Sequence, residues 1–173
     1  MLKRRRSGLV CASIPKWTVL ASAVMAAACT IEPRTDRTTT GGQTTASDKE
    51  VVMVPGTTPS PNYSPAIRSG EFIFLAGAVG SVPGGEFRLV EGGIVPETRQ
   101  VLENIQGVIE AAGGTMADML KCTVFLADIE DYAAMNEVYL TFFPSDPPAR
   151  SAFATGGLPF GARVEIECMA AAR

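Results

Sequence analysis

Histidine is absent from this sequence of 173 residues, and tryptophan occurs only once. Without an imidazole the chain has no His general base, no His-activated nucleophile and no His-ligated metal site. Cysteine is also scarce: there are four, of which Cys122 and Cys168 stand far apart, with no partner at metal-ligand spacing. The sequence therefore predicts no metal site.

Basic residues are few outside the N-terminal segment. Residues 38–173 contain eight Lys and Arg against sixteen Asp and Glu, a formal charge of −8. Binding to nucleic acid without sequence preference depends on neutralising phosphates with clustered basic residues. This composition argues against a nucleic-acid partner.

The first 29 residues have the pattern of an export signal. A basic start at residues 3–6 precedes an apolar or small run from Trp17 to Cys29. That run has 13 residues. A membrane-spanning helix takes roughly 20, so a signal peptide fits better than a transmembrane span.

Ala26-Ala27-Ala28-Cys29 offers two processing routes, cleavage after small residues or cleavage before Cys29 with a lipid attached to its sulfur. The second route resembles a bacterial lipoprotein box. Arg5-Arg6 offers a twin-arginine signal as an alternative, although the residues after it fit poorly. We expect a bacterial protein that is periplasmic or membrane-anchored, touching a membrane only through lipidated Cys29.

Residues 30–49 are rich in threonine and almost free of large apolar groups, so they predict a disordered tether. The folded domain is predicted at 50–173. Strands are expected at 51–54, 72–79, 87–90, 120–127, 149–155 and 163–171. One helix is expected at 94–112, with Pro96 in its first turn and Gly113 after its end, and a second from Asp131 to Phe143.

The order strand, helix, strand, helix, strand, strand predicts an α+β fold of the split βαβ type, one mixed sheet with both helices on one face. In the last strand Glu165 and Glu167 alternate with aliphatic residues, so both carboxylates should lie on the uncovered face. We expect that face to be an oligomer interface and to carry the ligand site. In the usual strand order of this layout Cys122 and Cys168 lie on opposite edges, which predicts buried free thiols.

Several motifs in collinear order resemble the Rid family, the reactive intermediate deaminases, also called YjgF-like proteins. The resemblance runs from about residue 55 to the C-terminus. It is carried by Asn62-Tyr63-Ser64-Pro65-Ala66, Phe74-Leu75-Ala76-Gly77, Thr98 to Ile105, Glu110-Ala111-Ala112-Gly113, Lys121 to Leu126, Met135-Asn136-Glu137-Val138-Tyr139, Pro148-Ala149-Arg150-Ser151 and Val164-Glu165-Ile166-Glu167.

The resemblance implies a chorismate-mutase-like subunit, a homotrimer with sites between subunits, and no cofactor. It also implies hydrolysis of enamines and imines of the 2-aminoacrylate and 2-iminopropanoate type to a 2-keto acid and ammonia. By position, Arg150 would hold the substrate carboxylate, the backbone N–H of Ala152 would assist it, and Glu165 would orient the attacking water. Tyr63 and Asn136 match positions that line the pocket.

The match is incomplete near the pocket. The best-studied branch of the family has Ser-Gly-Gln where this chain has Ala76-Gly77-Ala78, and a cysteine where this chain has Ala152. Gly77 is a candidate substrate-binding position, with close backbone approach as the alternative role. Glu167 competes with Glu165 as acid/base. Two further functions stay open, a non-catalytic trimer that binds small carboxylates and a holdase-type chaperone.

Overall fold

The computed structural model describes residues 48–57 and 60–173. The predicted export signal, the lipidation site at Cys29 and nearly all of the predicted tether lie outside the described residues. The first strand begins at Lys49, one residue before the predicted start of the domain. Within the described part of the chain, no helix has the length and hydropathy needed to cross a bilayer.

A single mixed sheet of seven strands forms one layer of the domain. The strands are β1 (Lys49–Val52), β2 (Ala66–Ser69), β3 (Phe72–Leu75), β4 (Ala78–Val79), β5 (Met119–Leu126), β6 (Ala149–Ala154) and β7 (Val164–Ala171). Their order is β1-β2-β3-β7-β5-β6, with β4 also paired to β7. The β5–β6 pair is parallel and the other pairs are antiparallel. The last strand of the chain thus lies near the centre of the sheet, and β6 is an edge strand.

Two helices form the second layer, α1 (Ile94–Ala111) and α2 (Tyr132–Phe142). Gly113 follows α1 with φ of 79°, the left-handed conformation that ends helices and that glycine adopts freely. The Arg68 guanidinium donates to the Ala112 carbonyl and so satisfies one of the last acceptors of α1. The core lies between the helices and the sheet, where the α1 residues Val101, Leu102, Ile105 and Ile109 are almost fully buried.

The predicted α+β layout, with two helices over one mixed sheet, is confirmed. Three local predictions differ from the structure. The strand expected at 72–79 is broken at residues 76–77 into β3 and β4, and β2 was not predicted. Residues 87–90 do not form the expected strand. Leu89 makes an isolated bridge with Ser81, because the glycine-rich segment before it does not extend this pairing into a ladder.

The prediction of free thiols on opposite edges is wrong. Because β7 lies beside β5, Cys122 and Cys168 are directly opposed in the antiparallel register, with Cα atoms 4.1 Å apart, and they form a disulfide. The error lay in the assumed strand order. Alternation alone had placed both side chains correctly on the covered face of the sheet, where Cys122 is fully buried and Cys168 is 5% exposed.

Candidate functional site

Arg150 is held by three side chains of α2. One guanidinium nitrogen, Nη2, donates to Oδ1 of Asn136 at 2.7 Å and to the hydroxyl of Tyr132 at 3.0 Å. The guanidinium carbon lies 4.5 Å from the ring centroid of Tyr139 and 5.7 Å from that of Tyr132. Residues 132, 136 and 139 share one helix face because they are spaced by four and three. The two hydrogen bonds and the contact with the Tyr139 ring therefore fix the position of the guanidinium.

The other terminal nitrogen of Arg150, Nη1, is buried and has no protein partner. The hydroxyl of Tyr139, a residue that is 1% exposed, is likewise buried and without a partner. Burial raises the pKa of Tyr139 to about 12, against the opposing effect of the Arg150 charge, so the phenol stays protonated. A fixed guanidinium with an unused donor is suited to a carboxylate, which accepts two parallel hydrogen bonds from arginine.

Glu165 lies on the other face of the sheet, beside Gly77. It is in β7, opposite Phe125 of β5 and Val79 of β4, and is half-buried. A Cβ built on Gly77 would overlap the Glu165 carboxylate and lie 3.1 Å from its Cδ. The alternative reading of Gly77, as a site of close approach, therefore has a specific partner in this structure.

Burial raises the pKa of Glu165, and the charge of the nearby Glu167 raises it further. Glu167 lies two residues along the same strand and is exposed. Arg163 is not the ion-pair partner of either carboxylate, since it contacts Asp131 at 2.7 Å instead. A raised pKa makes a carboxylate a stronger base, which suits Glu165 to acid/base work.

Within one protomer Arg150 and Glu165 are not brought together. Arg150 is opposed to Cys122 and Glu165 to Phe125 along β5, an odd spacing, so their side chains leave the sheet on opposite faces. Glu165 lies on the open face, where the ligand site was expected, whereas Arg150 lies on the covered face, under α2 at the edge of the sheet. A site that uses both groups needs two protomers.

Of the remaining candidates, Asn136 and Ala152 lie near Arg150, whereas Tyr63 lies on the surface. Tyr63 is 62% exposed and lines an open surface cavity of about 390 Å³ together with Lys49, Ser60, Pro61, Asn62, Ser64 and Ile67. Ala152 is two residues from Arg150 on β6, and its methyl group packs against the core. Asn136, matched to a pocket-lining position, contacts Arg150 directly, since its carbonyl oxygen accepts from the guanidinium.

Tyr132 and Tyr139 were not predicted as site residues, although both contact Arg150. The signal was present as two tyrosines and an asparagine on one helical face followed by a lone arginine. Hydrophobic periodicity assigns aromatic residues to the core but does not identify the partners of their hydroxyl groups. In the described ranges no group of His, Cys, Asp or Glu side chains has the geometry of a metal site.

Comparison with known proteins covers the same part of the chain. The family model described as endoribonuclease L-PSP matches residues 55–172. A RutC family protein of Pyrococcus horikoshii is 47% identical over 109 residues, which are 62% of this chain and 85% of that protein. The mouse 2-iminobutanoate/2-iminopropanoate deaminase is 42% identical over 108 residues, which are 62% of this chain and 79% of the deaminase.

Solved structures agree on the fold. The crystal structure of RidA from the Antarctic bacterium Psychrobacter sp. PAMC 21119 superposes with a TM-score of 0.66 at 33% identity, covering 70% of this chain and 98% of the other. The matched region therefore accounts for nearly the whole of that relative and leaves the N-terminal third of this chain outside it.

Proposed function

This chain belongs to the endoribonuclease L-PSP family, the YjgF or Rid family, and from that membership we propose that it hydrolyses small reactive imines and enamines to 2-keto acids and ammonia. The substrate class is that of 2-iminopropanoate and its tautomer 2-aminoacrylate. Cleavage of RNA, which the family description names, fits poorly with a domain that has no histidine and a formal charge of −8 over residues 38–173.

The observation that carries the proposal is the unused donor of Arg150. Its guanidinium is fixed by Asn136 and Tyr132 and stacked on Tyr139, yet Nη1 is buried with no protein partner. Leaving a buried charged donor unpaired costs more free energy than a typical hydrogen bond returns, so the arrangement is best explained by a ligand that completes it. A 2-imino acid supplies the carboxylate, and we assign the backbone N–H of Ala152 as a second donor.

The chemistry needs one water and one group that moves protons. In the proposed reaction Glu165 takes a proton from the water as its oxygen attacks the imine carbon, and passes that proton to the imine nitrogen, giving a carbinolamine. The Glu165 carboxylate then takes the proton of the new hydroxyl group and delivers it to the nitrogen as the C–N bond breaks, which releases ammonia and leaves the keto acid. An enamine first takes a proton on carbon and loses one from nitrogen to become the imine. The raised pKa of Glu165 makes its carboxylate a stronger base towards the water.

We propose that the site is assembled between protomers of a homotrimer. Arg150 lies at the β6 edge and Glu165 lies on the open face, so one protomer would offer its edge to the open face of the next. That face also exposes Phe72, Phe74 and Phe153, each more than 40% accessible. Burying such aromatic surface is a usual driving force of stable association. Tyr63 and Gly77 are proposed to line the same cleft.

Hydrolysis can be measured directly. An amino-acid oxidase generates 2-iminopropanoate in situ, and the rate of imine loss is followed with wild-type protein, Arg150→Ala and Glu165→Gln. We expect loss of activity in both variants. Arg99→Ala is the matched control, because Arg99 is an exposed arginine on α1, and it should keep wild-type activity.

The same experiment tests the alternative function. If wild-type protein gives only the spontaneous rate of imine loss, the deaminase proposal fails. Should a 2-keto acid then raise the melting temperature of wild-type protein but not of Arg150→Ala, the protein is a non-catalytic binder of small carboxylates. Retention of full activity in Arg150→Ala would contradict the assigned role of the guanidinium in both functions.

We further propose that the chain is exported and carries a lipid on Cys29, on the strength of the basic start, the 13-residue apolar run and the Ala26-Ala27-Ala28-Cys29 stretch. Metabolic labelling with a palmitate analogue should mark wild-type protein and not Cys29→Ala. Cys11→Ala is a suitable control, since it removes a cysteine from the leader without touching the proposed lipidation site. Equal labelling of wild type and Cys29→Ala would contradict the anchor.

A further inference from the structure

The Cys122–Cys168 disulfide lies at a position that neither the proposed chemistry nor the family membership explains. Cys122 is opposed to Cys168 on one side and to Arg150 on the other, at the centre of three adjacent strands. Glu165 lies on β7 three residues before Cys168. The bond therefore joins the strand that carries the carboxylate to the strand that neighbours the guanidinium.

The loop that the bond closes contains most of the proposed site. The two cysteines are 46 residues apart, and the chain between them includes all of α2 and β6. Tyr132, Asn136, Arg150 and Glu165 lie within this loop, whereas Tyr63 and Gly77 lie outside it. A cross-link over a loop of this length stabilises mainly by restricting the unfolded chain.

The burial of the two cysteines indicates whether their disulfide forms once, during folding, or can open and close in the folded protein. Thiol–disulfide exchange requires an attacking thiolate to reach a sulfur atom in line. Both cysteines face the core under the helices, with Cys122 fully buried and Cys168 5% exposed. The folded domain thus gives a reductant or an oxidant no access, and the bond must form before the helices close over the sheet.

We propose that Cys122–Cys168 is a maturation disulfide, installed on the incompletely folded chain by a thiol oxidoreductase of the compartment outside the cytoplasm. One cysteine thiolate attacks the disulfide of the oxidoreductase and forms a mixed disulfide. The second thiolate displaces the enzyme cysteine, leaving the protein disulfide and an enzyme dithiol. Two protons and two electrons leave the substrate thiols, and the enzyme disulfide takes up the two electrons.

Two independent features agree on this compartment. Disulfides persist where thiols are oxidised, outside the reducing cytosol, and the N-terminal residues have the pattern of an export signal. The inference rests on the proposed export and not on the proposed deaminase chemistry. A chain that is exported and oxidised but hydrolyses no imine would therefore refute the proposed function and leave this inference standing.

The state of the two cysteines can be read from cells. The full chain is expressed with its own leader in a Gram-negative host, spheroplasts are prepared, and protein outside the cytoplasm is denatured in N-ethylmaleimide and digested with trypsin. Cys122 falls in the peptide 122–150 and Cys168 in the peptide 164–173. We expect the two peptides to be linked and unlabelled. Absence of the chain from this fraction, or alkylation of both cysteines there, overturns the inference.

A second measurement tests maturation against switching. Folded oxidised protein should release thiols to dithiothreitol roughly a hundredfold more slowly than the urea-unfolded protein, because access requires opening of the domain. Equally fast reduction of the folded protein would show a surface-accessible switch instead. After reduction of the unfolded chain and refolding, we expect the melting temperature to fall by about 10 °C.

The double variant Cys122→Ala/Cys168→Ala is the matched control. It should melt below the oxidised wild type and show no further change with dithiothreitol, which separates loss of the bond from any other effect of the reductant. An equal melting temperature for oxidised and reduced wild-type protein would refute the stabilising role of the cross-link.

Discussion

Replacing Gly77 by alanine should disable the site while leaving the fold intact. The backbone at Gly77 does not have the positive φ that only glycine tolerates, so alanine is compatible with it. The one obstacle is the Glu165 carboxylate, which the new methyl group would overlap. That obstacle is the far end of a flexible side chain, so we expect the carboxylate to move aside and the backbone to stay.

Two opposing contributions to the stability of Gly77→Ala nearly cancel. Gly→Ala at a compatible position stabilises by about 0.4–1 kcal/mol through the unfolded chain. Pushing Glu165 off its preferred rotamer costs about 0.5–1.5 kcal/mol. The melting temperature should then change by only a few degrees. A displacement of roughly 1 Å in a reacting group costs about a hundredfold in rate, or about 2.7 kcal/mol of transition-state stabilisation.

Two other glycines provide controls. A Cβ on Gly107, within α1, would meet nothing within 4 Å, so Gly107→Ala should raise stability by about 1 kcal/mol and keep full activity. A Cβ on Gly80 would lie 2.9 Å from the backbone oxygen of Glu97, which cannot move aside, so Gly80→Ala should lose about 1–3 kcal/mol of stability. The assay is imine loss with the oxidase-generated substrate, alongside thermal melting. Wild-type kcat in folded Gly77→Ala would refute the reasoning.

Four further outcomes are expected. Arg150→Lys should raise KM at least tenfold in the imine assay, because an ammonium cannot reproduce the two-point contact with a carboxylate. Asn136→Ala should also raise KM, by roughly tenfold, since it removes the shortest hydrogen bond that fixes Arg150. Tyr139→Phe deletes a buried hydroxyl group that has no partner, so this variant should keep its activity and melt within about 2 °C of wild type. In Glu167→Gln the pKa of Glu165 should fall towards its ordinary value; if ionised Glu165 is the base, the acid limb of the kcat/KM profile moves to lower pH, and an unchanged limb would count against that assignment.

Much of the fold could be predicted from the sequence because its signals are local. Helix α1 was expected at 94–112 and is observed at Ile94–Ala111, since apolar spacing, Pro96 and Gly113 mark its face, start and end. The alternation of Glu165 and Glu167 with buried neighbours likewise placed both carboxylates on the open face. The order of the strands in the sheet was predicted wrongly, because the alternation of side chains along a strand does not indicate which strands are neighbours. The Cys122–Cys168 pairing was mispredicted for that reason alone.

The candidate site divides in the same way. Residue types predicted that an arginine and a carboxylate would be central, and the family motifs gave their positions. The contacts that fix Arg150 could not be predicted, because they join α2 to β6 across a prolyl segment whose path the sequence leaves open. Nor could alternation show that Arg150 and Glu165 leave the sheet on opposite faces, since this depends on how β6 and β7 are both registered against β5.

The sequence by itself determined the local chemistry of this protein: no imidazole, an acidic domain, an amphipathic first helix, and alternating strands with two carboxylates on one side. These features follow from side-chain type and from periodicities of 3.6 and 2 residues, which act over a few neighbours. The tertiary structure alone decided which strands became neighbours. That choice opposed Cys122 to Cys168, set the guanidinium of Arg150 against Asn136 and Tyr139, and separated it from Glu165, because contacts distant in sequence depend on how whole elements pack.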